Sequence, residues 1–212
     1  VEQHFIRAFQ RKGFAVLWLE MPYQFHRKAN YLAPSGQGFL ARNPKRLADN
    51  YRQSVLDARR ALDWLSRNPS IDPKRIGIFG VSLGALVGAT VYSLDPLIHY
   101  GVFFMGGADF QTLALNSAMT RPFIERIGVE PEVLKQAWKG IDPLDFKEKN
   151  AGKKVFLINV SLDRVVPRAN ALKLKEAFPL SRQLWIPLGH YSAVLHLLWI
   201  PGYIARDFSS HL

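Results

Sequence analysis

Hydrophobic positions in the 212-residue chain fall into two alternating patterns. The first is a short continuous apolar run, the signature of a strand buried on both faces of a parallel sheet. Phe14 to Leu19, Arg75 to Val81, Tyr100 to Met105, Lys154 to Val160 and Gln183 to Pro187 read this way. The second is an amphipathic stretch with apolar residues three and four apart, which predicts a helix with one buried face. Glu2 to Lys12 places Phe5, Ile6 and Phe9 on one side and stops at Gly13. Arg46 to Asn68 carries Leu47, Tyr51, Val55, Ala58, Leu62 and Leu65, and Pro69 and Pro73 close it. A small-residue helix follows Val81, another spans Pro167 to Phe178, and a last one runs from about Tyr191. Strand–helix alternation of this kind predicts an α/β fold, with a mostly parallel sheet covered on both faces.

Phe110 to Asn150 departs from the alternation, with breaks at Pro122, Pro131, Gly140 and Pro143. It reads as two or three short helices, an insertion (residues 110–150) placed to cap the carboxyl edge of the sheet. No repeat or linker divides residues 1–212, so one domain is expected.

Composition narrows the classes. With 48% hydrophobic and 21% charged residues the chain is an ordinary globular sequence. It has no cysteine, hence no disulfide and no thiolate chemistry. The net charge of +11 would attract anions or an acidic surface, a binding-module class that rests on charge alone. Lys and Arg are scattered without a long basic run or aromatic interleaving, so a solvated basic surface is expected and no nucleic-acid partner. The apolar region from Leu184 to Ile204 is interrupted by Pro187, Gly189, His190, Pro201 and Gly202, too broken for a transmembrane segment. The chain opens on Val1 without a basic-then-apolar leader, which leans the expected location toward the cytoplasm. No His/Asp/Glu cluster stands at ligand spacing and no phosphate-binding glycine loop occurs, so neither metal nor cofactor is expected.

The chemistry begins at Gly80-Val81-Ser82-Leu83-Gly84. G-x-S-x-G between a strand and a helix is the spacing of a nucleophile elbow, whose sharp turn needs small neighbours and presents the serine above a helix N-terminus. A serine hydroxyl needs a base to take its proton and an acid to orient that base. Asp163 follows one predicted strand and His190 follows the next, giving the order Ser, acid, His along one sheet edge. Asp109 and Asp145 are rival acids and His196 is the rival histidine. His26 and Tyr23, in the loop after Leu19, and Tyr191 are candidates for lining the substrate pocket.

On these residues the chain resembles the α/β-hydrolase superfamily, and more narrowly single-domain hydrolases and esterases of the dienelactone-hydrolase-like kind. The resemblance rests on Gly13 to Arg27 with its Pro22-Tyr23-x-x-x-Arg27 loop, Gln53 to Gly84, Asp163 to Pro167, and Gly189 to Ser192. It implies Ser82 as nucleophile, His190 as general base and acid, Asp163 as its orienter, and the Leu83 backbone N–H as an oxyanion donor. The implied activity is carboxylic ester hydrolysis of a small-molecule ester or acyl substrate through an acyl-enzyme. The alternatives are a thioesterase or amidase on the same triad, and a non-catalytic binding protein. The family begins with further strands, one of them beside the elbow strand. The resemblance therefore implies that these residues are the larger part of a longer protein, with those strands and a second oxyanion donor lying elsewhere.

Overall fold

A computed structural model of the chain describes residues 2–40, 43–196 and 198–212. Four parallel strands form one sheet in the order β1 (Gly77–Val81), β2 (Tyr100–Phe104), β3 (Val155–Val160), β4 (Arg182–Ile186). The register sets Val81 beside Phe104, Phe104 beside Ile158, and Val160 beside Ile186. All four strands therefore end at one level, and the loops that begin at Ser82, Met105, Ser161 and Pro187 share an edge.

Side chains alternate across the sheet with the strand period of two. Val102, Phe104, Phe156 and Ile158 meet α1 (Glu2–Gln10) and α8 (Ile200–Ser209), where Phe9 lies edge-on to Phe208 at 5.0 Å. Phe103 and Leu157 point the other way, into a larger core with α2 (Pro44–Ser66), α3 (Leu83–Leu94) and α7 (Arg168–Ala177). The segment after β2 forms α4 (Phe110–Asn116), α5 (Arg121–Ile127) and α6 (Pro131–Trp138), then a 3-10 turn over Pro143–Phe146. Its apolar residues join that larger core: Phe110 and Trp138 both stand edge-on to Tyr51 of α2, at 5.1 and 5.6 Å.

Two expectations change. Phe14 to Leu19 is not a strand: residues 14–20 have no regular structure, and Val16, Leu17 and Trp18 are exposed. The run begins at Phe14, 6.2 Å from the Phe208 ring, and Met21 beyond it reaches the first turn of α3. It thus passes along the β1 side of the sheet, but among the described residues no ladder joins it to β1. Apolar composition makes a strand only where a neighbour supplies hydrogen bonds. The terminal helix, expected from about Tyr191, is split into a 3-10 turn over Ser192–His196 and α8.

Two polar details fix the carboxyl edge. The buried Asp142 carboxylate accepts N–H bonds from Asp109, Phe110 and Leu144, joining the start of α4 to the 3-10 turn. At the β1–α3 corner, a Cβ added to Gly80 would stand 2.1 Å from the Gly84 carbonyl oxygen, whereas one on Gly84 would meet only Met21 Cε at 3.7 Å. The turn compels one glycine, not both.

Gly80→Ala should destabilise the chain by about 1–3 kcal/mol or more, because the helix must move off the strand, while Gly84→Ala should stay within ~1 kcal/mol of the parent. Denaturant midpoints separate the two. Asp142→Ala should lower stability by about 1–3 kcal/mol, since buried N–H groups lose their acceptor; the same measurement reads it.

Candidate active site

Ser82 sits between β1 and α3 with φ +52° and ψ −116°, a left-handed backbone that a non-glycine residue adopts only where the surroundings impose it. The surroundings do so here. The Ser82 N–H donates to the Phe104 carbonyl at 2.8 Å, which anchors the corner to β2. Its own carbonyl accepts from Ala85 and Leu86 at 2.9 and 3.0 Å and starts α3. Leu83 follows as the first helical residue, so its N–H belongs to the set that a helix leaves without an internal partner. The helix dipole adds partial positive charge at that spot.

Two further strand ends bring their residues to the serine. Ser82 Oγ lies 2.8 Å from His190 Nε2, and His190 Nδ1 lies 2.8 Å from Asp163 Oδ2. The remaining oxygen of Asp163 accepts the N–H groups of Val165 and Val166, each at 2.8 Å. With the Asp163 and His190 side chains 3% and 10% exposed, this chain of hydrogen bonds runs through nearly dry surroundings. A carboxylate only accepts, so the network assigns the ring hydrogen to Nδ1 and leaves Nε2 bare for the serine proton.

The turns holding these groups are tied to each other. The Leu162 N–H donates to the Leu188 carbonyl at 2.9 Å, joining the acid turn to the histidine turn. The Ala118 N–H donates to the Arg164 carbonyl at 2.8 Å, joining the α4–α5 turn to the acid turn. The Ser192 hydroxyl accepts from the Gly189 N–H at 3.0 Å and closes the histidine turn. Asn170 of α7 is buried and donates to the carbonyls of Ala108 and Asp109, fixing the loop after β2. Sequence reasoning did not single out Asp142 or Asn170: each joins segments that lie tens of positions apart in the chain.

Other candidates fall elsewhere. Asp109 caps α4 at Thr112, and Asp145 accepts from the Gly140 N–H, so both rival acids hold local turns. The side chain of His196 lies outside the described residues. His26 is 93% exposed and bonded to Glu20 at 2.8 Å, with no contact to the triad. The bond from His26 holds the Glu20 carboxyl below the usual range. Tyr23 packs against the larger core and borders a shallow cleft with Arg27 and Gln53. Tyr191 is exposed and edge-on to the His190 ring at 5.6 Å. Among the described residues no group of three or more His, Cys, Asp or Glu is placed to hold a metal ion, and no helix is long and apolar enough to cross a membrane.

No protein-family model and no curated protein sequence matches the chain. Solved structures do. Acetyl xylan esterase 1 from Thermoanaerobacterium sp. JW/SL YS485 superposes with a TM-score of 0.63 at 18% identity, over 90% of this chain and 60% of that one. The α/β hydrolase GrgF from Penicillium sp. sh18 gives 0.57 at 14% identity, over 76% and 72%. The acylaminoacyl peptidase of Pyrococcus horikoshii gives 0.59 at 18% identity, over 74% of this chain but 26% of the peptidase. The chain thus spans about a quarter of the peptidase and less than two thirds of the esterase. At these identities the likeness is one of architecture. Parallel strands flanked by helices, an elbow between β1 and α3, and the same architecture in these neighbours show that the chain has the α/β-hydrolase fold.

Proposed function

We propose that the protein is a serine hydrolase that cleaves a carboxylic ester through an acyl-enzyme. The observation that carries this reading is the continuous hydrogen-bond chain Ser82–His190–Asp163, with both links at 2.8 Å. The ester, rather than another acyl bond, is favoured by the breadth of the likeness to an acetyl xylan esterase, which extends over 90% of this chain.

The geometry gives each group a task. Ser82 Oγ attacks the acyl carbon while His190 Nε2 takes the hydroxyl proton, and Asp163 stabilises the imidazolium so formed. The carbonyl electrons move to oxygen, and the oxyanion is met by the Leu83 N–H at the start of α3. Collapse of that intermediate expels the alcohol, which takes the proton from Nε2 and leaves an ester on Ser82. Water then repeats the sequence, giving its proton to Nε2 and releasing the acid with Ser82 restored. The cycle is balanced without a cofactor or metal.

A fluorophosphonate probe should modify the protein at Ser82, as mapped by peptide mass spectrometry, and Ser82→Ala should abolish labelling while circular dichroism stays native. No labelling of a folded wild-type chain would overturn the hydrolase reading. Asp163→Asn should lower turnover of p-nitrophenyl esters on the order of 10⁴-fold, because the ring loses the partner that sets its tautomer. His190→Ala should be comparably inactive, since triad members act as a unit. Parallel assays with a thioester and a p-nitroanilide compare the three acyl bonds; faster turnover of either than of the ester would replace the ester assignment.

A further inference from the structure

The acid turn, the segment after the histidine turn and the α4–α5 turn carry exposed large apolar side chains and exposed arginines. Leu162, one residue before the catalytic acid, is 70% exposed. Leu195 and Leu198, just beyond the histidine turn, are 69% and 94% exposed. Met119, also exposed, stands next to the residue whose N–H binds the Arg164 carbonyl. These four residues come from three separate loops, and each loop is hydrogen-bonded to, or continuous with, the acid or histidine turn. Arg164 and Arg168 are exposed in the same region; among the described residues neither has an acidic partner, and Arg168 lies over the Trp185 ring at 4.3 Å.

Exposed apolar groups on neighbouring loops mark an interaction surface, and these loops carry, or are hydrogen-bonded to, the turns of Asp163 and His190. We propose that this surface docks onto an anionic phospholipid bilayer and that the ester substrate reaches Ser82 from it. This rests on the ester-hydrolase reading for the substrate, while the docking itself does not require hydrolysis. Charge complementarity selects the occupant. The arginines and the net charge of +11 match lipid phosphates, and a second copy would bring the same positive surface against its own likeness. The apolar tips then enter the headgroup–acyl boundary, as interfacial segments do. An ester with long acyl chains is also most concentrated in such a layer.

The test is flotation of the full Ser82→Ala chain with vesicles of phosphatidylcholine alone or of phosphatidylcholine and phosphatidylserine in equal parts. Using the inactive serine variant keeps the lipid intact. Binding is expected to the anionic vesicles only, and to weaken as salt rises. The paired changes Leu195→Ser with Leu198→Ser, and Arg164→Glu with Arg168→Glu, should each weaken binding on the order of tenfold or more. Trp64→Ser, at the end of α2 and therefore at the opposite edge of the sheet, should leave binding unchanged; circular dichroism checks that each variant is folded. No flotation of the parent chain, equal binding to neutral vesicles, or an equal loss in Trp64→Ser would overturn the proposal. So would a dimer by size exclusion that depends on the same side chains, without flotation. Fluorophosphonate labelling of the wild type separates the two readings: labelling without flotation removes the docking alone, and flotation without labelling removes the hydrolase alone.

Discussion

The constraint on which the rest depends is the backbone of Ser82, turned into the left-handed region between a strand and a helix. That conformation costs on the order of 1–3 kcal/mol in isolation. It persists because β1 is registered on β2, because the corner N–H is bound to Phe104, and because Gly80 lets the Gly84 carbonyl come closer than any side chain would allow. The same geometry that strains the serine raises its hydroxyl over the first turn of α3. The strain and the exposed position of the hydroxyl are two descriptions of one corner.

From that corner the parallel register does the remaining positioning. Strands that end level with one another deliver Ser82, Asp163 and His190 to one edge although 108 residues separate the first from the last. The helices after β2 are not a detached lid: their aromatic residues pack against α2 in the larger core, and the α4–α5 turn is hydrogen-bonded to the acid turn. The α4–α5, acid and histidine turns are consequently linked to one another by backbone hydrogen bonds.

Much of this was legible in the sequence. The four strands that pair were readable to within a residue or two, because a run of buried side chains leaves its mark in composition, and the elbow, acid and histidine turns were readable from order and spacing. Phe14 to Leu19 has the same composition and yet forms no strand. The chain's apolar pattern says which residues favour burial; whether a hydrogen-bonding neighbour lies beside them is a tertiary fact. The elbow glycines illustrate the same limit, since both look necessary from the motif and only Gly80 is sterically compelled. Asp142 and Asn170 were illegible for a related reason, since each joins segments remote in the chain. Leu195 and Leu198 fall within the helix expected from about Tyr191, whereas the structure sets Leu195 in a 3-10 turn and Leu198 before α8, both exposed.

The hydrogen bonds around Ser82, His190 and Asp163 divide into two groups. Ser82 is clamped by two elements, and Asp163 by two amides of its own turn with two neighbouring loops bonded alongside. His190 sits in a turn closed by the Ser192 hydroxyl and by the Ala193 N–H on the Gly189 carbonyl, and that turn is tied to the acid turn through Leu162 and Leu188. The acid and histidine turns therefore behave as one mechanical unit, and the Asp163 carboxylate limits where the imidazole can swing. A load on the segment after Gly189 reaches Asp163 together with His190, whereas Ser82 is held separately by β2 and α3.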